Sequence, residues 1–207
     1  GQVDNTFTNG DVADDNGVNA ATVLPNGKII IGGKFSHYNL DGPENIICLN
    51  TDGTPDTGFN SGIGFNFSVY AVESCPDNTF FTGGDFTNYN HFDADSIVLL
   101  NPNGAINTGF ATGIVEYTDT PLTGLCVQAD GKTAVGGLFN HYNHALTNRM
   151  VRFNADGSDD ASFNIGSGFQ FYTTHASARA IAQQADGKLI VVGNFNTYNG
   201  DWILTNI

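Results

Sequence analysis

The sequence predicts an all-β fold, a β-propeller of four four-stranded antiparallel blades. The first observation behind this prediction is a glycine-aromatic motif that occurs four times. The second is the spacing of its phenylalanines, Phe35, Phe86, Phe139 and Phe195, which lie 51, 53 and 56 residues apart. The copies read GGKFSHYN at 32–39, GGDFTNYN at 83–90, GGLFNHYN at 136–143 and GNFNTYN at 193–199. Short strands repeated at this period are typical of propeller blades.

Each repeat divides into four predicted strands, which we call A to D in chain order. Strand A is rich in small residues, strand B ends on the motif glycines, strand C ends on an asparagine, and strand D leads to a further phenylalanine such as Phe59. Strand A is predicted at 18–24, 68–74, 122–128 and 178–184. Small side chains fit the crowded innermost position of a blade, and the glycine pairs indicate a bulge or a close backbone approach.

Turns separate the strands at fixed places. The A–B turns are Asn26-Gly27-Lys28, Asp77-Asn78-Thr79, Asp130-Gly131-Lys132 and Asp186-Gly187-Lys188. Glycine and asparagine tolerate positive φ, so these sequences favour two-residue hairpins. The connection from strand D to the next strand A is the part that varies in length. These D–A connections lie at 8–17, 60–70, 111–121 and 164–179.

The repeats are out of phase with the start of the chain. GQVDNTF at 1–7 matches GTPDTGF at 53–59, so the chain begins on strand D, and it ends on strand C. We therefore expect residues 1–207 to form a single propeller domain whose ring closes when residues 1–7 complete the last blade, which would remove exposed sheet edges. The alternative is a module cut from a longer propeller or array. The repeat units are 18–59, 68–110, 122–163, and 178–206 plus 1–7.

Composition narrows the range of functions. The 207 residues include 26 Gly and 16 Phe, and the formal net charge is −14 with only 7 basic residues. Such a chain repels nucleic-acid phosphate and anionic membranes, and no run is apolar enough to span a bilayer. We therefore expect no nucleic-acid partner and no membrane insertion. The cysteines Cys48, Cys75 and Cys126 lack zinc-site spacing and are expected to be free thiols, with one disulfide plus one free thiol as the alternative.

Several landmarks taken together resemble the delta-60 repeat family. In the third copy they are Asp130-Gly131-Lys132, Gly136-Gly137, Phe139, Arg152-Phe153-Asn154, Asp156-Gly157, Asp160 and Phe163. The second copy departs most, with Asn78, Leu99, Asn103 and Asn107 where the family pattern has Gly, Arg, Asp and Asp. The resemblance covers nearly the whole chain. It implies a propeller-like domain of secreted, cell-surface or phage-tail proteins, with no catalytic residue and no common ligand.

Features that recur in every repeat are explained first by the scaffold. The motif glycines and Phe139 fall in this class, as do Tyr142 and Asn143, which have counterparts in all four copies. His141 and His144 are less regular and are interpreted as solvated loop residues rather than metal ligands. No nucleophile elbow, zincin or P-loop signature is present. The sequence therefore predicts no enzyme activity, no metal and no cofactor.

Features that break the repeat are better candidates for function, and they lie in the D–A connections. In a propeller the D–A and B–C loops share one face, which we call the loop face, and loops on a rigid scaffold often carry recognition. Aromatic rings beside Asp, Asn and Thr suit stacking against a sugar and equally suit contact with a protein. The predicted ligand-binding residues are Phe65, Phe67, Tyr117, Asp119, Phe169, Phe171, Tyr172 and His175.

These expectations combine into a functional prediction. The chain is expected to be a non-catalytic extracellular binding or adhesion module, on a cell surface or a virion, whose loop face recognises a surface glycan or a protein. The alternative is a structural role, as an assembly subunit of a phage tail, fibre or surface filament that joins a larger oligomer.

Overall fold

The structure is a computed structural model. The structure describes residues 5–8, 12–13, 17–39, 42–110, 115–116, 122–139, 141–142, 145–171 and 176–202. The chain forms two compact units. Unit 1 comprises residues 1–94 and 98–107, and unit 2 comprises residues 95–97 and 108–207. In the described ranges all regular structure is β, and no helix there is long and apolar enough to cross a membrane.

Twenty-one strands, most of them short, lie within the described residues. They are β1 (Val12–Ala13), β2 (Val18–Val23), β3 (Ile29–Gly33), β4 (His37–Tyr38), β5 (Ile46–Leu49), β6 (Val69–Ser74), β7 (Phe80–Gly84), β8 (Asn88–Tyr89), β9 (Phe92–Asp93), β10 (Ile97–Leu100), β11 (Val115–Glu116), β12 (Leu122–Val127), β13 (Thr133–Gly137), β14 (His141–Tyr142), β15 (Ala145–Leu146), β16 (Met150–Phe153), β17 (Phe169–Gln170), β18 (Ser177–Gln183), β19 (Leu189–Asn194), β20 (Thr197–Tyr198) and β21 (Asp201–Trp202).

The longer strands form one sheet per repeat. The orders are β2-β3-β5, β6-β7-β10, β12-β13-β16 and β18-β19, so the predicted strand B is central wherever three strands are present. The predicted strands A, B and C therefore match observed strands to within a residue or two in the first three repeats. In the fourth repeat, strand C was expected at 202–206, and residues 203–207 lie outside the described part of the chain.

Strand D is shorter than predicted. It is represented by single antiparallel bridges, Leu49–Pro55, Leu100–Ile106 and Phe153–Asp159. In the first repeat a turn begins directly after the bridge, where Asp56 accepts a bond from the Phe59 amide and caps the Gly58 amide with its carboxylate. The turn carries the chain away from the sheet edge, so the first three repeats are described as three strands plus one bridge.

The described residues near the N-terminus contact the first repeat. The Thr8 amide donates to the Asp52 carbonyl at 2.7 Å, and Phe7 packs against the buried cluster of Phe35, Tyr38, Ile47 and Leu49. The Asn60 amide makes the corresponding bond to the Asn103 carbonyl at 2.8 Å in the next repeat. Residues 5–8 thus lie in the position that residues directly after strand D have in the first repeat. Residues 1–4 lie outside the described part, so four-blade ring closure through residues 1–7 stays a prediction.

The A–B hairpins differ in detail from the two-residue turns that the sequence favours. In the first repeat the Leu24 amide bonds to the Lys28 carbonyl and the Gly27 amide bonds to the Leu24 carbonyl, which leaves a three-residue loop. Gly27 has a φ of +86° and Asn78, its counterpart in the second repeat, has +68°. Residues that tolerate positive φ were correctly located, and a type I turn with a left-handed third residue is the next most common hairpin loop.

The glycines that end strand B allow neighbouring repeats to pack closely. In unit 1 a Cβ added to Gly32 would collide with the side chain of Val69 on β6. In unit 2 a Cβ on Gly136 would lie 2.8 Å from the Cβ of Ala178 on β18. Each glycine therefore leaves a notch that receives the first strand of the next repeat, which confirms the predicted close approach.

A side chain on strand A strengthens the same contact between repeats. A β-bulge separates Val18 from Ala20 in β2, and equivalent bulges occur in β6, β12 and β18. The bulge residue Asn19 donates from Nδ2 to the Val69 carbonyl at 3.0 Å, and Thr123 donates from Oγ1 to the Ala178 carbonyl at 3.3 Å. In both units, packing into the glycine notch and the hydrogen bond from the bulge residue thus hold adjacent sheets in the same register.

The fourth repeat departs from this packing rule. Val192 occupies the position of Gly32 and Gly136, and its side chain is 41% exposed, while neighbouring Ile190 is 48% exposed. Arg179 takes the bulge position of Asn19. A valine fills the notch that a following first strand would enter. The fourth sheet therefore lacks the glycine notch that the first and third sheets have at this position.

The two units have separate apolar clusters. In unit 1 buried side chains from both sheets form one cluster, which includes Leu24, Ile30, Ile46, Val69, Val72, Phe80, Phe86 and Leu100. In unit 2 Cys126, Ala134, Met150, Phe169 and Ala176 are buried together. The three cysteines are free, as predicted. Burial raises the pKa of Cys48 to about 12 and that of Cys75 to about 11, so both thiols stay protonated and unreactive at neutral pH.

In the first and third repeats, an ion pair joins the lysine of the A–B turn to the aspartate that directly follows the strand D bridge. Lys132 Nζ and Arg152 Nη2 approach Asp160 Oδ2 at 2.8 and 2.7 Å, and Lys28 Nζ lies 2.6 Å from Asp56 Oδ2. The hydrogen bond from Lys132, followed by that from the Ser162 hydroxyl, holds the pKa of Asp160 well below its usual range. The Lys, Arg and Asp positions of the repeat pattern therefore serve the scaffold.

Replacing Gly32 with alanine tests the notch. The added methyl group must displace Val69, and overpacking of this kind costs about 1–3 kcal/mol of unfolding free energy. Urea denaturation of Gly32→Ala measures the loss. Gly58→Ala is the control, because the nearest atom to its new Cβ is a flexible carboxylate oxygen of Asp56 at 3.3 Å. Equal stability of the two variants would contradict a tight notch.

Replacing Asp160 with asparagine tests the ion cluster through its pH dependence. Because the pKa of Asp160 is lower in the folded state than in the unfolded state, the cluster stabilises the fold above the unfolded value of about 3.9 and loses this effect as pH falls through the folded value. Asp160→Asn should therefore be less stable than wild type at neutral pH, with a gap that narrows below about pH 4. Denaturation midpoints across this range measure the gap. Asp159→Asn, at an exposed neighbour, is the control, and a pH-independent gap would contradict the assignment.

Candidate functional site

The loop face is organised by a second set of small sheets. In each repeat a residue of the D–A connection pairs with the tyrosine of the motif. The pairs are Val12–Tyr38, Phe65–Tyr89, Val115–Tyr142 and Phe169–Tyr198. In each repeat the D–A connection therefore meets the B–C loop that follows it, and the connection from one repeat completes a small sheet of the next.

The tyrosine and asparagine of the motif are parts of this scaffold. Tyr89 is buried and donates its hydroxyl to the Gly104 carbonyl at 2.6 Å. Asn39, Asn90 and Asn199 have φ values of +54°, +45° and +53°, which asparagine tolerates in tight turns. Asn143 lies outside the described residues. The described copies thus support the interpretation that this part of the motif shapes loops.

Phe65 and Phe169 were predicted to bind a ligand, but the structure places both in the core. Phe65 is 1% exposed, and its ring centroid lies 4.2 Å from that of Phe86 and 4.5 Å from that of Tyr89. Phe169 is buried in the equivalent position against Phe195. Both rings anchor a D–A connection to its own small sheet, so neither presents a surface to a ligand.

Phe67 and Phe171 are equivalent in sequence but differ in their surroundings. Phe171 is half-buried and packs against the apolar cluster of unit 2. Phe67 is 56% exposed and belongs to none of the apolar clusters of the described residues. The other predicted site residues, Tyr117, Asp119, Tyr172 and His175, lie outside the described part of the chain. Phe67 is therefore the predicted residue that the structure leaves available to a ligand.

Phe67 borders an open cavity of about 200 Å³ in unit 1, which we call the Phe67 cavity. Its walls come from the first B–C loop and the D–A connection that follows. The lining residues are Lys34, Phe35, Ser36, Glu44, Asn45, Asn66, Phe67 and Ser68. The cavity thus lies where two loops of neighbouring repeats meet.

Two asparagines in the walls hold these loops together. Asn45 accepts a hydrogen bond from the Phe35 amide and donates to the Phe65 carbonyl at 2.7 Å. Asn66 Oδ1 accepts bonds from the amides of Thr87 and Asn88, and its Nδ2 donates to the Thr87 hydroxyl at 2.9 Å. Because both side chains form hydrogen bonds within the protein, they fix the shape of the cavity rather than contact a ligand.

Lys34 and Glu44 supply the charged groups of the cavity. Lys34 is anchored by its amide, which donates to the Gly17 carbonyl at 3.0 Å, and Glu44 by its amide, which donates to the Ile63 carbonyl at 3.0 Å. Both residues are exposed, and within the described residues neither side chain forms an ion pair. A ring, an ammonium group and a carboxylate therefore face one cavity on fixed backbone.

In unit 2 an arginine lies along the corresponding B–C loop. By alignment of the motif phenylalanines, Arg149 takes the place of Asn45 and Leu138 takes the place of Lys34. Arg149 Nη1 donates to the Leu138 carbonyl, so its guanidinium group lies against the loop that carries Leu138. The third repeat therefore has different residues at two positions that line the Phe67 cavity in unit 1.

Lys34 and Glu44 were not among the predicted site residues. The predicted site residues all lie in the D–A connections, whereas both of these residues belong to the first B–C loop. The sequence does carry a signal for Lys34, because the third position of the Gly-Gly-x-Phe motif is Lys34, Asp85 and Leu138 in successive copies. It carries no such signal for Glu44, since only the fold brings Glu44 and Phe67 to one cavity.

No metal-binding arrangement is found in the described residues, since no group of three or more His, Cys, Asp or Glu side chains there is placed to hold a metal ion. His37 Nδ1 lies 2.7 Å from the Ser36 hydroxyl on the exposed loop, and His144 lies outside the described part.

The sequence matches the profile of a family described as a domain of unknown function, DUF5122, beta-propeller. The matches cover residues 24–59, 75–110, 128–163 and 184–202, one in each repeat. The chain belongs to this family. The prediction of an all-β propeller-type repeat is thereby confirmed, whereas the delta-60 name stays a prediction. No curated protein matches the chain.

A solved structure has a similar fold. It is the crystal structure of the extracellular domain of a hybrid two-component system from B. thetaiotaomicron, with a TM-score of 0.51 and 15% sequence identity. The match covers 91% of this chain and 20% of that chain, so the family member spans about a fifth of its neighbour's length. At this identity the similarity concerns the fold alone.

Proposed function

We propose that this DUF5122 chain is a non-catalytic extracellular binding module that recognises a saccharide in the Phe67 cavity. The observation that carries the proposal is the exposed Phe67 ring beside Lys34 and Glu44, in a cavity whose walls are fixed by Asn45 and Asn66. The extracellular setting is supported by the fold of the structural neighbour, which is itself an extracellular domain.

A saccharide fits these groups better than a protein does. The C–H face of a sugar ring stacks on an exposed aromatic ring, and its hydroxyls bond to charged and polar groups at the rim. A stable protein interface needs about 800 Å² of surface on each partner, whereas the cavity is a concave site of about 200 Å³. Rigid walls lower the entropy cost of binding, which suits recognition of a small polar ligand.

Replacing Phe67 with alanine tests this function. A glycan array identifies ligands of the wild-type protein, and calorimetry then measures their affinity. Because burial of the ring contributes at least about 1.5 kcal/mol, Phe67→Ala should lower affinity about tenfold or more. The bound saccharide should be recovered chemically unchanged.

Phe92 offers a matched control. It is a phenylalanine of similar exposure, 63%, that does not line the cavity. Phe92→Ala should bind like wild type. An array without any ligand, or equal losses in the two variants, would refute the assignment of the site.

A structural role is the second candidate, and exposed apolar side chains favour it. In unit 1 the first sheet exposes Val18 and Val23, and in unit 2 the fourth repeat exposes Ile190, Val192 and Trp202. Apolar faces of this kind often mark contacts with other subunits. As an assembly subunit, the protein would join a filament or larger oligomer through them.

Light scattering over a range of concentrations tests assembly. If the fourth repeat forms a subunit contact, the wild-type mass should rise with concentration, and Val192→Lys should shift the protein to monomer because a charge is buried at the contact. Phe92→Lys is the control and should assemble normally. A monomer at all concentrations would exclude the structural role for the isolated chain.

A further inference from the structure

The basic residues of this chain are few, and nearly all of them have partners. Four of the 7 form ion pairs with aspartates, and Arg149 bonds to a carbonyl oxygen. The remaining two, Lys34 and Arg179, form no ion pair within the described residues. Lys34 lines the Phe67 cavity. In a chain of net charge −14, an ammonium group without a carboxylate partner is unusual.

Glu44 lines the same cavity without pairing with Lys34. Ion pairs require nitrogen and oxygen within 4.0 Å, and no such contact joins the two side chains. Their backbone segments are paired, since the Gly33 amide donates to the Asn45 carbonyl at 3.0 Å and the Asn45 amide donates to the Phe35 carbonyl at 2.9 Å. Lys34 and Glu44 are thus a cation and an anion on one wall, and because they do not pair with each other, each is available to a different group of the same ligand.

We propose that the ligand of the Phe67 cavity is a saccharide that carries a carboxylate, such as a uronic or sialic acid. The Lys34 ammonium group binds the carboxylate, Glu44 accepts hydrogen bonds from ring hydroxyls, and Phe67 stacks on the sugar face. This inference rests on the proposed function and names the substrate class of that site. A neutral saccharide would leave the Lys34 charge without a counterpart in the complex.

Charge also limits how acidic the ligand can be. The chain has 21 acidic residues, and Glu44 lies within the cavity itself. A densely charged polyanion would therefore be repelled by the protein as a whole. One carboxylate on a hydroxylated ring satisfies Lys34 while presenting neutral groups to Glu44. We expect oligosaccharides with isolated acidic residues to bind better than heavily sulfated ones.

The test compares each acidic saccharide with its methyl ester, which has the same ring and lacks the charge. The probes are uronic-acid and sialic-acid oligosaccharides, measured by calorimetry with the full chain. An exposed charge pair contributes up to about 1 kcal/mol, so the acid should bind roughly three- to fivefold more tightly than its ester. Lys34→Gln should abolish this preference, and Lys34→Arg should retain most of it.

Matched variants separate the charge from general effects. Lys188→Gln removes a lysine that pairs with Asp186 outside the cavity, and it should retain the preference for the acid. Glu44→Gln should weaken the ester more than the acid, because both lose a strong acceptor for ring hydroxyls but only the acid is relieved of repulsion from the Glu44 carboxylate. Thermal melting confirms that each variant folds.

The outcomes distinguish this inference from the function on which it rests. If acid and ester bind equally and Phe67→Ala weakens both, the acidic class is overturned and the saccharide site stands. If Lys34→Gln keeps the preference, Lys34 is not the carboxylate partner and the inference fails. If no saccharide binds at all, the proposed function itself fails.

Discussion

The contact between the glycine at the end of strand B and the first strand of the next repeat is the constraint on which each unit depends. Without a Cβ at Gly32 or Gly136, Val69 or Ala178 enters the notch, and the bulge residue then reaches the backbone of the same strand. Sheet spacing and register follow from this contact, because a larger residue would push the sheets apart. The apolar cluster of unit 1 is continuous across two sheets for the same reason.

The geometry of the loop face depends on the spacing of neighbouring sheets. Once the sheets are held close, the connection between repeats is short enough to pair with the motif tyrosine, and Phe65 or Phe169 anchors it. The residues just after the anchor then lie at the surface. In unit 1 these residues border an open cavity, whereas in unit 2 Arg149 lies along the corresponding loop.

The proposed function follows from a difference between two kinds of residue, those that recur in every repeat and those that do not. Repeated groups such as the Lys132–Asp160 pair and the motif tyrosines form internal contacts, so they are not available to bind a ligand. Lys34 differs between copies, is exposed and forms no ion pair within the described residues. Phe67 is exposed, whereas its sequence counterpart Phe171 is half-buried.

The sequence by itself determined the repeat, the strand order within it and the residues that turns require. Local physics explains this success, because alternating apolar residues, glycine notches and positive-φ turns act over a few residues and leave a readable pattern. The burial of Phe65 and the exposure of Phe67 could not be read in the same way, since the two lie two residues apart in one aromatic connection. Tertiary structure decided which ring faces the core. It also brought Glu44 and Phe67, which are 23 residues apart in the chain, to the lining of one cavity. Such contacts depend on how neighbouring repeats stack, which is a property of the packed sheets and of no single segment.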